Sequence, residues 1–275
     1  MTTLHEATPA QATAPARRTG SAWTAFRAIL WRDIFVTGRE LWVMLIQTSI
    51  TPLFMLFIFG RVLSGQGYVR GNFAELLQLG VIALAAFMTA LQTVAMPLVL
   101  EFGFTKEIED RLLAPLRTEL VAIEKLVIST LRGLASAVLM YPLGWLIVGS
   151  APWRPEGLPL LFAVAILGAW VGGGVGMTLA TLLPTNRINV TLSVIITPLV
   201  FTGCVQYPWP KLKFIPWFQV VTAFNPMTYV SEGLRAAMVP NVPHMAPWIS
   251  VLVLFCLALA FTYASVICFR RRATT

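Results

Sequence analysis

Glu232 and Arg235 are the pair best placed to do chemistry in a chain otherwise short of reactive groups. They stand three residues apart, so a helix sets both on one face, where they can pair. Charges at membrane depth are costly unless paired or wetted, and a plain structural ion pair meets that condition as well as a functional one. The two histidines, His5 and His244, form no paired-histidine metal motif, and no nucleophile elbow occurs. No lysine follows a glycine, as a phosphate-cradling loop would require. Cys204, Cys256 and Cys268 lie in or at the ends of apolar runs without ligand spacing and read as packing residues. This inventory predicts no enzyme, no metal site and no cofactor on this chain.

A second charged region runs from Glu101 to Arg117. Within it Lys106, Glu107, Glu109, Asp110 and Arg111 alternate with apolar positions. Ile108, Leu112, Leu113 and Leu116 are spaced to lay an apolar stripe along a short helix, which Pro115 ends or bends. Such a segment suits a solvated loop or a docking helix for a cytoplasmic partner.

The elements that position these groups follow from composition. Hydrophobic residues make up 57% of the 275 residues and charged residues 12%, against about 25% charged in a soluble domain. The chain therefore reads as an all-α membrane protein. A crossing helix needs about 20 apolar residues, and six such spans are predicted, at about 41–59, 76–100, 126–148, 158–183, 188–204 and 248–269. Residues 1–20 read as a disordered cytoplasmic tail and residues 21–275 as the transmembrane domain. From Ala22 to Thr37, Trp23, Phe26, Leu30 and Ile34 recur at helical spacing opposite charged residues, the pattern of an amphipathic helix lying in the interface.

Pro52 predicts a kink in the first span. Gly168, Gly172 and Gly176 fall at four-residue intervals and predict close helix packing within the chain. Between the last two spans, QYPWPKLKFIPWF mixes proline with aromatic anchors, a composition suited to broken helices at an interface.

The net charge of +8 does not argue for nucleic acid, because the basic residues lie between apolar runs rather than clustering on one face. It argues for topology. With both termini on one side, that side receives thirteen basic residues and the other six, setting Arg132 aside. The excess predicts both termini in the cytoplasm.

A second span entering KEIEDRLLAPL and followed by a third resembles the permease family of type 2 ABC exporters. FNPMTYVSEGLRAAM, from Phe224 to Met238, is similar to that family's signature between the fifth and sixth spans, with Asn225, Pro226, Glu232 and Arg235 at the matching positions. The resemblance covers nearly all of the chain after residue 20. It implies that Lys106, Glu107, Glu109, Asp110, Arg111, Leu112, Leu113 and Pro115 belong to a coupling helix seated on an ATPase. It also implies a re-entrant outer gate between spans five and six.

On this resemblance the chain is the permease subunit of an exporter in the cell inner (plasma) membrane. Two permease copies, expected as a homodimer, pair with two copies of a cytoplasmic ATPase that holds ATP and magnesium. The cargo expected is an amphipathic drug-like or lipid-linked molecule, with polysaccharide or glycolipid as the alternative. Phe87, Met88, Leu91 and Met96 on span two, with Val194, Ile195, Pro198 and Phe201 on span five, are the expected path lining. An ion-coupled carrier is the competing class, but it would normally place an acidic group or histidine inside a span, and the predicted spans carry none near a midplane.

Overall fold

The computed structural model describes residues 31, 45–46, 48–66, 73–100, 118–183 and 188–273. Among these the regular structure is entirely helical. Eight helices position everything that follows: α1 (Thr48–Leu63), α2 (Phe73–Leu100), α3 (Thr118–Val148), α4 (Leu158–Leu182), α5 (Ile188–Thr202), α6 (Pro216–Ala223), α7 (Pro226–Met238) and α8 (Pro247–Ala273). Short 3-10 segments, one turn over Pro155–Gly157 and about two over Trp209–Phe214, lead into α4 and α6.

Four helical stretches are long and apolar enough to cross a membrane: Phe73–Leu100, Glu119–Val148, Pro155–Leu182 and Pro247–Arg272. α1 and α5 contain shorter apolar runs, Thr48–Leu63 and Ser193–Thr202. The disturbance expected at Pro52 takes a particular form. Proline supplies no N–H to the α ladder, and four residues later α1 widens into a π-helix over Leu56–Leu63. α3 begins at Thr118, ahead of the expected Leu126, and so carries Glu119, Glu124 and Lys125 in its first two turns. Glu124 is buried there.

α2 is the hub. Of its most apolar window 89% is buried, against 17% for α8, although α8 is the more hydrophobic of the two by mean hydropathy (2.5 against 1.9). What buries α2 is small residues facing it. A side chain at Gly172 would stand 2.6 Å from the Phe87 carbonyl oxygen, and one at Gly176 would strike the Leu91 carbonyl. Gly168 instead receives Val230 of α7. The four-residue glycine stripe thus packs α4 against α2 and α7 inside one chain, as its spacing predicts. α8 is fastened to α4 by polar contacts. Trp170 Nε1 donates to Thr262 Oγ1 (2.8 Å), and Arg272 Nη1 donates to the carbonyls of Thr181 (2.8 Å) and Leu183 (2.7 Å) at the α4 terminus.

Candidate functional site: a buried ion pair that closes a broken helix

α5 is fifteen residues long and ends at Thr202, after which the backbone turns sharply at Cys204, which takes the left-handed conformation (φ 52°). A helix terminus leaves its last carbonyls unpaired. In an apolar setting each one must find a donor inside the protein. α7 supplies those donors from one face.

The face starts at Asn225, the N-cap of α7. Its Oδ1 accepts from the Met227 N–H (2.9 Å), and Pro226 occupies the first turn, where a missing N–H costs nothing. Its Nδ2 reaches the other way, donating to the Leu199 carbonyl (2.7 Å) and to Thr202 Oγ1 (2.8 Å). One turn on, the Thr228 hydroxyl stands 2.7 Å from the Thr222 carbonyl and 3.3 Å from that of Thr202. After another turn, Ser231 Oγ donates to the Gly203 carbonyl (2.8 Å). Arg235 completes the series: its Nη2 donates to the carbonyls of Cys204 (2.5 Å) and Val205 (2.6 Å). Residues 225, 228, 231 and 235 thus follow the helical repeat and between them reach the carbonyls of Leu199, Thr202, Gly203, Cys204 and Val205, while the Tyr207 hydroxyl donates to that of Phe201 (2.7 Å).

Arg235 and Glu232 are both fully buried. Arg235 Nη1 donates to Glu232 Oε1 at 2.8 Å and to the Tyr207 carbonyl at 3.3 Å, and its Nε donates to the Leu76 carbonyl of α2 at 3.4 Å. Glu232 is equally occupied. Oε1 also accepts the Trp209 N–H (3.0 Å), and Oε2 accepts the Met245 N–H (2.8 Å). Five stretches of chain meet at this pair: α2, the turn after α5, the 3-10 turn, α7 and the approach to α8. A buried ion pair offsets its desolvation only when its remaining donors and acceptors are satisfied, and here the guanidinium and the carboxylate are.

Gly80 of α2 makes room for this arrangement. A side chain there would strike the Val205 carbonyl and stand 2.9 Å from Arg235 Nη2. The pairing of Glu232 with Arg235 is visible in their spacing, whereas the parts played by Gly80, Thr228 and Ser231 emerge only in the fold. The available signal for the last two was their place in the helical series begun by Asn225.

Around the pair the surface is apolar and aromatic. Trp209 and Gln219 exchange side-chain-to-backbone hydrogen bonds (3.2 and 3.3 Å), tying the 3-10 turn to α6. α6 and the residue after it leave Trp217, Val220, Val221 and Phe224 exposed at helical spacing, and Lys211 and Lys213 are exposed beside them.

The expected path residues occupy two different environments. Phe87, Met88 and Leu91 are buried in the α2 interior, while Met96 is exposed. On α5, Val194, Pro198 and Phe201 are exposed and Ile195 is partly so. The segment holding Lys106, Glu107, Glu109, Asp110, Arg111, Leu112, Leu113 and Pro115 lies outside the described residues, as does the expected amphipathic helix apart from the exposed Trp31. Among the described residues no group of histidine, cysteine and carboxylate side chains could hold a metal ion.

Comparison with known proteins agrees with the membrane architecture. Residues 24–239 match the family model described as ABC-2 type transporter. The protein ycf38 of Cyanophora paradoxa, a transport permease by its name, is 25% identical over 222 residues, covering 75% of this chain and 72% of its own length. Its namesake from Porphyra purpurea is 27% identical over 197 residues, covering 68% of this chain and 64% of its own length. The family match reaches from the first predicted helix through α7 and takes in both residues of the ion pair; this chain, a multi-pass membrane transport component, belongs to the ABC-2 type transporter family.

Proposed function

We propose that the chain is the permease subunit of an ATP-driven exporter that moves an amphipathic, drug-like or lipid-linked molecule out of the cytoplasm. The observation that carries this reading is the family match over residues 24–239. In this reading α1 and α5 complete six spans, residues 1–20 form a cytoplasmic tail, both termini are cytoplasmic, and the site is the inner (plasma) membrane. ATP and magnesium reside on a separate ATPase present in two copies.

The segment from Lys106 to Pro115 couples the two proteins. Movement of the ATPase against it is passed into α2 and α3, which flank it in sequence, and rigid helices carry such motion as whole bodies. A second copy of the permease completes the path. α5 supports this assignment, because it packs mainly on α7 and leaves Val194 and Phe201 exposed. The chain between α5 and α8 then acts as a re-entrant outer gate, held in shape by Glu232 and Arg235.

The test is to purify the tagged chain from its own membrane in mild detergent, identify what accompanies it, and assay ATP hydrolysis. A co-purifying P-loop ATPase is expected. Reversing Glu109 and Asp110 to lysine is expected to leave the permease folded but abolish its effect on ATPase rate. Unchanged stimulation would remove the coupling role, and a chain that purifies without an ATPase would favour an ion-coupled carrier.

A further inference from the structure

An apolar groove of about 470 Å³, lined by neither Glu232 nor Arg235, lies between α2, α3, the start of α4 and α7. Its walls include Leu79 and Ala86 of α2, Ala137 of α3, Ala165 of α4 and Leu234 of α7, and the three alanines leave the space. None of its lining residues is charged. The Tyr141 hydroxyl is committed to the Pro152 carbonyl at 2.7 Å, so the walls offer a guest no free polar group.

The groove opens at the surface, where exposed Val138, Trp153 and Phe162 line it. Tyr141 and Trp153 meet edge to face, with centroids 6.4 Å apart, at the end where α3 gives way to the loop into α4. Aromatic pairs of this kind mark the membrane–water boundary. Arg154 follows Trp153 and is held only loosely, by an exposed Glu156 at 3.1 Å. A cation therefore stands near the aromatic end of a groove that is otherwise hydrocarbon.

Apolar cavities stay dry and admit apolar guests, and this volume falls within the range of ligand pockets. Three helical stretches long enough to cross a membrane build the walls, so the groove borders the bilayer core. We infer that it is a resident-lipid site, taking one acyl chain of a bilayer phospholipid with the headgroup at the Trp153 and Arg154 end. The guest is structural rather than cargo: it fills the space left by the three alanines and braces α3 against α4.

The full-length chain can be reconstituted in vesicles of phosphatidylethanolamine and phosphatidylglycerol, with a trace of phospholipid bearing a photoreactive diazirine on its acyl chain. Labelling should concentrate on residues 134–142 and 158–165 over the exposed α8 face around Leu252 and Leu259. Val138→Trp, which plugs the mouth from an exposed position, should bring groove labelling down to the α8 level, and Phe162→Trp provides a second plug if the first variant fails to fold. Equal labelling of groove and α8 in the wild type would overturn the proposal. So would disulfide trapping of Val138→Cys against another copy of the chain, which would show that protein covers the groove.

Discussion

The α2–α4 contact and the α5–α7 contact solve the same problem by opposite means. Where α4 meets α2, glycines bring one backbone against another. Where α7 meets the end of α5, Asn225, Ser231 and Arg235 on one helix face reach the carbonyls of the broken helix and the turn after it, and Thr228 joins them while bonding most closely to Thr222 of α6. Within a bilayer, apolar surface gains nothing from leaving one apolar neighbour for another, so association rests on packing or hydrogen bonds. The first contact uses packing and suits a permanent body. The second uses directional bonds, which hold an irregular stretch of backbone that packing alone could not.

Removing Arg235 should separate the two most. Arg235→Ala uncovers the Cys204 and Val205 carbonyls and leaves Glu232 charged and buried, a loss of about 3–5 kcal/mol, read as a lower thermal midpoint in detergent. Lysine should not restore it, since a point charge cannot span several acceptors as the guanidinium fork does. Glu232→Ala combined with Arg235→Ala should cost less than the two singles added together, and strict additivity would argue against the pair.

Gly176→Leu comes next. It forces a branched side chain onto the Leu91 carbonyl, and overpacking of this kind costs about 1–3 kcal/mol. Because Gly176 meets Leu91 while Thr228 bonds to Thr222 and Thr202, the two sites share no partner and this loss should add to that of Thr228→Val. A thermal midpoint unchanged from wild type would show that α2 and α4 can separate without penalty.

Thr228→Val should have the smallest effect, about 0.5–1.5 kcal/mol for one hydrogen bond. Its value is diagnostic. If transport falls further than the thermal midpoint suggests, the junction of α7 with α6 and the end of α5 takes part in the working cycle rather than only in the fold.

Much of this was legible in the sequence, and its limits have physical causes. Hydropathy located the four long helices because each needs a long apolar run, but it could not order them by depth. α8 is the more hydrophobic and α2 the more buried, since lipid and protein interior are equally apolar. The glycine stripe of α4 did carry that information, because close approach needs small residues at that spacing. Ion pairing of Glu232 with Arg235 could be read from local spacing, whereas their links to Leu76, Trp209 and Met245 depend on distant segments that no periodicity reveals. The π-helix in α1 was legible only as a kink, because Pro52 marks where the ladder breaks and not how the next turns close.

The capping of α5 also bears on how the protein is made. The carbonyls of Leu199 and Thr202, and those of Gly203, Cys204 and Val205 in the turn that follows, are completed by donors at 225–235, which leave the ribosome only after α6 has been synthesised. Until then the nascent α5 ends in bare acceptors, and its lodging in the bilayer is incomplete. A chain halted after Phe224 is expected to expose Cys204 to a water-soluble maleimide, whereas the finished chain buries it; equal protection of the two would refute the idea. On this view α5, α6 and α7 enter the membrane as one unit, with the last residues of the unit licensing the first.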